Sequence, residues 1–189
     1  MLTGATAVHA LTVVRAGAGD TVLIHGAAGG VGLMAVQLAA IAGARVIGTA
    51  SEGSHALLRE FGAEPVTYGA GLDARVRALA PGGVDAVIDA AGGDEALDIS
   101  LALVPQQERI VTIVASRRAF DAGIKVIGGA PGADPGTEVR AAARLELARL
   151  AGAGRLRVVV AATYPLAEAA AAHRALAGGH THGKIILVP

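Results

Sequence analysis

The sequence predicts an α/β chain built on one open, doubly wound parallel sheet in strand order 3-2-1-4-5-6, with helices on both faces. Three observations lead there. Short apolar runs rich in Val and Ile alternate with helix-period stretches from residue 21 to residue 128. The run TVLIH at 21–25 breaks at once into the small residues GAAGGVG at 26–32, then a helical stretch and a second strand-like run, RVIGT at 45–49, a unit of about 30 residues. Strands joined through helices in this way pair in parallel with right-handed crossovers, and that sets the strand order.

Taken in order, residues 1–14 carry apolar side chains at helical intervals and end in the polar glycine turn RAGAGD. A half-apolar helix without a cap reads as a lead-in, so the chain is expected to continue upstream. After the first strand, Val31, Met34, Ala35, Leu38 and Ile41 recur at helical spacing and Gly43 closes the helix. The second strand, 45–49, is followed by a helix at 55–61 closed by Gly62, a third strand at 65–68, a helix at 73–80 and a fourth strand at 84–89. A helix at 94–104, a fifth strand at 109–115 and a sixth at 124–128 complete the sheet. Residues 130–135 form a Pro/Gly linker in which Asp134 is placed to cap a helix that begins at Pro135 and runs to Leu150. A strand at 156–163, an alanine-rich helix at 165–177 and a last strand at 184–188 end the chain.

Composition narrows the function. The 189 residues are 53% hydrophobic and 17% charged, with a formal net charge of zero and no basic run, which argues against nucleic acid or an anionic membrane as partner. Without cysteine there are no disulfides and no thiolate zinc sites. Residues 26–44 are uncharged, yet five glycines and Gln37 within them argue against a membrane span. With no signal pattern at the amino terminus, the expected compartment is the cytoplasm.

The glycine turn carries the chemistry. A pyrophosphate lies on the N–H groups and positive dipole end at a helix N-terminus, and only small residues let it approach. Ala27, Gly29 and Gly32 give the pattern A-x-G-x-x-G, in which Gly29 leaves room for the ligand and Gly32 lets helix and strand pack closely. At the end of the second strand, where an acidic residue takes the ribose of NAD, stand Ala50 and Ser51. Short side chains and a hydroxyl tolerate a 2′-phosphate, which favours NADP(H); Glu52 pulls the other way, while His55 and Arg59 could lend positive charge. His9, His25, His55, His173, His180 and His182 form no metal-ligand spacing with carboxylates, and HTH at 180–182 reads as a solvated turn. No acid, base or nucleophile stands out, as expected where a cofactor carries the reaction.

Three stretches, GDTVLIHGAAGGVGLMAVQLA at 19–39, GVDAVIDAAGG at 83–93 and YPLAEAAAAHRALAGGHTHGKIILVP at 164–189, together resemble the zinc-independent quinone oxidoreductase branch of the medium-chain dehydrogenase/reductase superfamily. The resemblance implies a Rossmann-type cofactor domain with its lead-in helix at 1–154. It also implies that 155–189 is the return segment of a GroES-like substrate domain otherwise missing from the chain. It implies that Gly29, Gly30 and Val31, with Gly32, meet the pyrophosphate, that Ser51 lies near the 2′-phosphate with His55 beside it, and that Tyr68 adjoins the adenosine. Ala91 and Gly92 would border the nicotinamide ribose, and Ile113, Val114 and Ala115 the nicotinamide, although members often have glycine where Val114 stands. The implied activity is hydride transfer from NADPH to a quinone or an α,β-unsaturated carbonyl acceptor. An enoyl reductase module of a polyketide-type synthase and a non-catalytic NADPH-binding module are the alternatives. A homodimer is expected through the sixth strand, Ile124 to Gly128, the exposed edge of the sheet.

Overall fold

Strand-forming runs with apolar residues on both faces need helices above and below them, and the chain supplies both layers. The computed structural model describes residues 2–178 and 183–189. Its main sheet comprises β1 (Thr21–His25), β2 (Arg45–Thr49), β3 (Ala63–Val66), β4 (Ala86–Asp89), β5 (Ile110–Thr112) and β6 (Lys125–Val126). These six strands pair in the order β3-β2-β1-β4-β5-β6, all in parallel, as the alternation predicts.

Period-two alternation divides the core between the two faces. Val22, Ile24, Val46, Ala86, Ile88 and Val111 pack with Leu33 and Val36 of α2 (Gly32–Ile41), Ala7 and Ala10 of α1 (Leu2–Val13), Leu58 of α3 (His55–Glu60) and Leu147 of α7 (Thr137–Gly152). On the other face Leu23, Ile47, Val87 and Ile110 meet Leu72 and Val76 of α4 (Leu72–Leu79) and Leu97 of α5 (Asp94–Leu103). The polar helix ends thereby stay at the rim, and the carboxyl ends of the strands open as a crevice.

Several element limits differ from the sequence expectation, each for a local reason. β3 starts at Ala63, directly after the left-handed Gly62, and stops at Val66 because the Thr67, Tyr68 and Gly69 carbonyls accept hydrogen bonds from the Arg75 guanidinium. β5 ends at Thr112, whose Oγ1 takes the Val114 N–H at 3.0 Å and bends the chain out of the sheet. An unexpected short helix, α6 (Arg117–Asp121), follows, its first turn capped by Ser116 Oγ accepting from Ala119 N–H. β6 covers only two residues. Its Val126 C=O accepts from Asp134 N–H and the Gly128 N–H donates to Asp134 C=O, so the chain's own linker occupies part of the edge on which a second copy was expected.

Asp134 does not cap α7, which begins at Thr137 after Gly136. Its Oδ1 accepts from Gly136 N–H at 2.8 Å, while Oδ2 meets Nε2 of the buried His9 at 3.1 Å and so ties the linker to α1. The expected strand at 156–163 begins later, as β7 (Val160–Pro165), and pairs in parallel with β8 (Lys184–Val188) as a separate two-stranded sheet. Ahead of it the Arg157 N–H donates to Gln37 Oε1 at 2.7 Å and the Arg157 C=O accepts from Gln37 Nε2 at 3.0 Å, which anchors the crossing to α2. Between the two strands lies α8 (Ala169–Ala177), and the HTH at 180–182 lies outside the described residues.

Candidate functional site

Between the end of β1 at His25 and the start of α2 at Gly32 the chain turns tightly, and Gly26 opens that turn with φ 66°. A side chain there would press on the backbone of Ala90 and Ala91 at about 3.0–3.1 Å. The tight-turn glycine is thus Gly26, one residue before Ala27. Ala27 packs its methyl against Gly48 on β2, which explains why alanine is accepted there. Gly29 N–H donates to Gly26 C=O at 3.0 Å, and a Cβ on Gly32 would run into Gly26 C=O and the Ala27 backbone. Helix and turn therefore touch backbone to backbone, and the Leu33 N–H at the start of α2 donates back to Gly29 C=O at 2.9 Å.

Below the turn a buried polar row crosses four strand ends, Thr49 of β2, His25 of β1, Asp89 of β4 and Thr112 of β5. Asp89 is only 5% exposed. Its Oδ1 accepts from Ala91 N–H at 3.0 Å and Gly92 N–H at 2.8 Å, and its Oδ2 from Thr112 Oγ1 at 2.8 Å. One carboxylate thereby shapes the whole loop after β4. Thr49 Oγ1 accepts from Gly26 N–H at 3.2 Å and stands 3.5 Å from His25 Nδ1. Burial pushes the His25 imidazole below its ordinary pKa, with Asp89 and Glu95 pulling the other way, so it is held neutral.

The crevice itself is a cavity of about 440 Å³ bounded by Gly26, Gly29, Thr49, Ser51, Tyr68 and the loop and helix start at 91–96. Of the residues singled out in the sequence, it brings together Gly29, Ser51, Tyr68, Ala91 and Gly92. Gly32 supports it as the first residue of α2, and Val31 precedes that helix with its C=O accepting from Ala35 N–H. Gly30 faces elsewhere, onto an apolar cavity of about 340 Å³, where Lys184 Nζ lies about 2.5 Å from the position a Cβ would take. His55 opens α3 outside the crevice lining. Ile113 donates its N–H to Asp89 C=O, Ala115 is exposed, and Val114 presses its side chain on Gly92 above a smaller cavity of about 90 Å³. His25, Asp89 and Glu95 are the site residues that the sequence reading left out. The strand-end Asp89 before AAGG was the available signal, whereas His25 reads as the last residue of a buried strand.

Among the described residues no Lys or Arg lines the crevice, while Asp94 and Glu95 do, and Glu95 Oε2 accepts from Gly69 N–H at 3.1 Å. Among the described residues no three His, Cys, Asp or Glu stand together as metal ligands, so the donors needed for zinc are not assembled there. Nor is any helix among them long and apolar enough to cross a membrane.

The family model for zinc-binding dehydrogenases matches residues 61–187. A pig (Sus scrofa) quinone oxidoreductase is 32% identical over 187 residues, which cover 90% of this chain and 55% of that protein. A spectinabilin polyketide synthase protein of Streptomyces orinoci is 35% identical over 180 residues, 90% of this chain but 8% of its own length. Among solved structures, a mycobacterial protein complexed with NADPH superposes with a TM-score of 0.80 at 30% identity, over 100% of this chain and 62% of that one. The CurK enoyl reductase gives 0.80 at 26% identity, over 98% and 60%. The chain spans about half the length of the curated quinone oxidoreductase it matches. It belongs to the zinc-binding dehydrogenase family, in the zinc-independent, quinone-oxidoreductase-like branch of the medium-chain dehydrogenase/reductase superfamily.

Proposed function

We propose that this chain is the cofactor-holding part of an NADPH-dependent oxidoreductase whose acceptor is a quinone or an α,β-unsaturated carbonyl compound. The observation that carries the reading is the crevice between the Gly26–Gly32 turn and the loop pinned by Asp89, at the carboxyl ends of β1, β2 and β4, where a doubly wound sheet takes its ligand. Its residues fit a dinucleotide. The start of α2 receives the pyrophosphate, Gly29 keeps the approach open, and Ser51 and Tyr68 border the adenosine half. Ser51 in place of a strand-end acid favours the 2′-phosphate, although no basic side chain in the lining adds to that preference. When bound, the dihydronicotinamide supplies the hydride, and the chain positions it.

Residues 1–154 are then the cofactor domain and 155–189 the return segment of a GroES-like substrate domain. In support, β7 and β8 pair with each other and not with the main sheet, and Val158, Val160, Ile186, Leu187 and Val188 are exposed. A homodimer through residues 124–128 belongs to the same proposal. A second copy there must displace the Asp134 bridge, and sedimentation showing only monomer at micromolar concentration removes the dimer from the account.

A second reading, an enoyl reductase module acting on an acyl chain, is favoured by the likeness to polyketide synthase proteins, of which the matched stretch is a small share. The test is NADPH oxidation with a panel of quinones and enones, run beside a binding titration on the same sample. The chain alone is expected to bind NADPH without turnover, because hydride transfer needs the acceptor held at roughly 3–3.5 Å from the donor carbon, and in this proposal the opposing wall belongs to the rest of the GroES-like domain. Turnover of about 1–10³ per second by this chain alone overturns the domain reading.

A further inference from the structure

Buried polar atoms in proteins are almost always hydrogen-bonded, so one that is not marks a place where a partner is due. In the row beneath the crevice Asp89 is held by three donors, Thr112 bonds Asp89 and the Val114 N–H, and Thr49 takes the Gly26 N–H. The exception among the described residues of the row is His25. The residue is 1% exposed, it borders the crevice, and its Nε2 has no hydrogen-bond partner. Thr49 Oγ1 accepts from Gly26 N–H and lies 3.5 Å from His25 Nδ1, so its hydroxyl can donate to that nitrogen. In that tautomer Nε2 carries the proton as an unused donor.

Alternation along β1 fixes which way the ring points. Val22 and Ile24 go to the α2 face, Leu23 goes to the α4 and α5 face, and His25 shares the side of Leu23. The crevice lining there includes Glu95 and Ala96 at the start of α5 and Tyr68, whose neighbour Gly69 donates its N–H to Glu95. Gly26 and Gly92 next to it present no side chain to keep a ligand at a distance.

We propose that His25 is a cofactor-positioning residue, whose Nε2–H donates a hydrogen bond to an oxygen on the adenosine half of the bound dinucleotide and so sets how deep that half sits. The acceptor is a ribose hydroxyl or a phosphate oxygen; both offer the same lone-pair chemistry. This rests on the dinucleotide reading above.

The experiment uses the full chain labelled with ¹⁵N at histidine, with His25→Asn and His25→Gln beside the parent. Glutamine can place an amide N–H where Nε2 stands, whereas asparagine keeps a group at the Nδ1 position and loses the outer donor. NADPH is expected to bind His25→Asn about threefold to tenfold more weakly than the parent, the worth of one ordinary hydrogen bond, and His25→Gln within about twofold of it. In the parent, the His25 ring proton on Nε2 should shift downfield and gain exchange protection when NADPH or 2′,5′-ADP is added, but not with reduced nicotinamide mononucleotide. Adenosine alone producing the shift identifies a ribose oxygen; a shift that needs 2′,5′-ADP identifies a phosphate oxygen. An unmoved His25 ring at NADPH saturation, or parent-like affinity in a folded His25→Asn, overturns the proposal while leaving the dinucleotide reading intact. A parent chain that does not bind NADPH overturns both.

Discussion

Replacing Asp89 by alanine should damage the crevice and the fold together. The carboxylate is the acceptor for two backbone N–H groups and one hydroxyl, at 2.8–3.0 Å, in a site almost closed to water. Alanine leaves the Ala91 and Gly92 N–H groups without their partner, at about 1–3 kcal/mol each where water cannot replace it. Some relaxation of the loop is expected, so the net loss is about 3–5 kcal/mol, a large part of the 5–15 kcal/mol that holds an ordinary domain together. With a urea slope of about 2–3 kcal/mol per molar, that moves the unfolding midpoint down by roughly 1–2 M. Asp89→Asn is the control. Its amide oxygen can keep both N–H bonds and only the Thr112 contact must be rearranged, at about 1 kcal/mol. Because Ala91 and Gly92 line the crevice, NADPH affinity should fall more than tenfold in Asp89→Ala at temperatures where it is still folded. Unfolding of Asp89→Ala within about 0.5 M urea of the parent, or asparagine as harmful as alanine, would refute this role for the carboxylate.

Gly32→Ala forces a methyl into the Gly26 carbonyl and the Ala27 backbone, neither of which can swing aside as a side chain would. A loss of about 1–3 kcal/mol and of measurable NADPH binding is expected, and parent-like thermal unfolding and affinity would show that the turn is looser than described. Ser51→Asp sets a carboxylate against a 2′-phosphate; at this exposed position the repulsion is near the low end of about 1–4 kcal/mol, so NADPH should bind about fivefold to tenfold more weakly and NADH unchanged. Equal weakening of both cofactors removes Ser51 from the specificity argument. The depressed pKa of His25 means that below its ordinary value of 6.5 the unfolded chain takes up more protons than the folded one, so stability present at neutral pH is lost as the pH falls from about 6.5. Urea midpoints at pH 7.5, 6.5 and 5.5 should fall less steeply for His25→Gln than for the parent; parallel curves count against a buried neutral imidazole.

The sheet was legible in the sequence because its strands are continuous β-branched runs and its helices keep a 3.6-residue period, so the order of strands and crossovers leaves one topology. What was harder to see depended on contacts across the chain. Leu156 to Val159 looks like the start of a strand, but Leu156 is a core residue and the Arg157 backbone bonds the Gln37 side chain, a residue that in sequence marked only a polar interruption of an apolar helix. The five residues of α6 are too few to show a period, although Ser116 at its start and Gly123 after its end were signals of a capped turn. In the site, Gly29 and Ser51 from the motif and Tyr68, Ala91 and Gly92 from the resemblance line one crevice, since strand ends converge there. The stretch 113–115 is bent out of the sheet by the bond from the Val114 N–H to Thr112 Oγ1, and Val114 borders the smaller cavity beside Gly92 and Gly93. The polar row from Thr49 to Thr112 is assembled from four separate strands, and no local pattern announces it.

The central claim, that a dinucleotide lies across the Gly26–Gly32 turn with its adenosine half in the crevice, is tested most directly by titrating the ¹⁵N-labelled chain with NADPH and following backbone amide resonances. The account predicts saturable shifts at Gly29, Gly32, Ser51, Ala91 and Gly92, with the surface around Glu60 and Arg157 unaffected. Shifts confined to the apolar cavity of Leu33, Met34 and Leu147, or no saturable shift at millimolar NADPH, would contradict it.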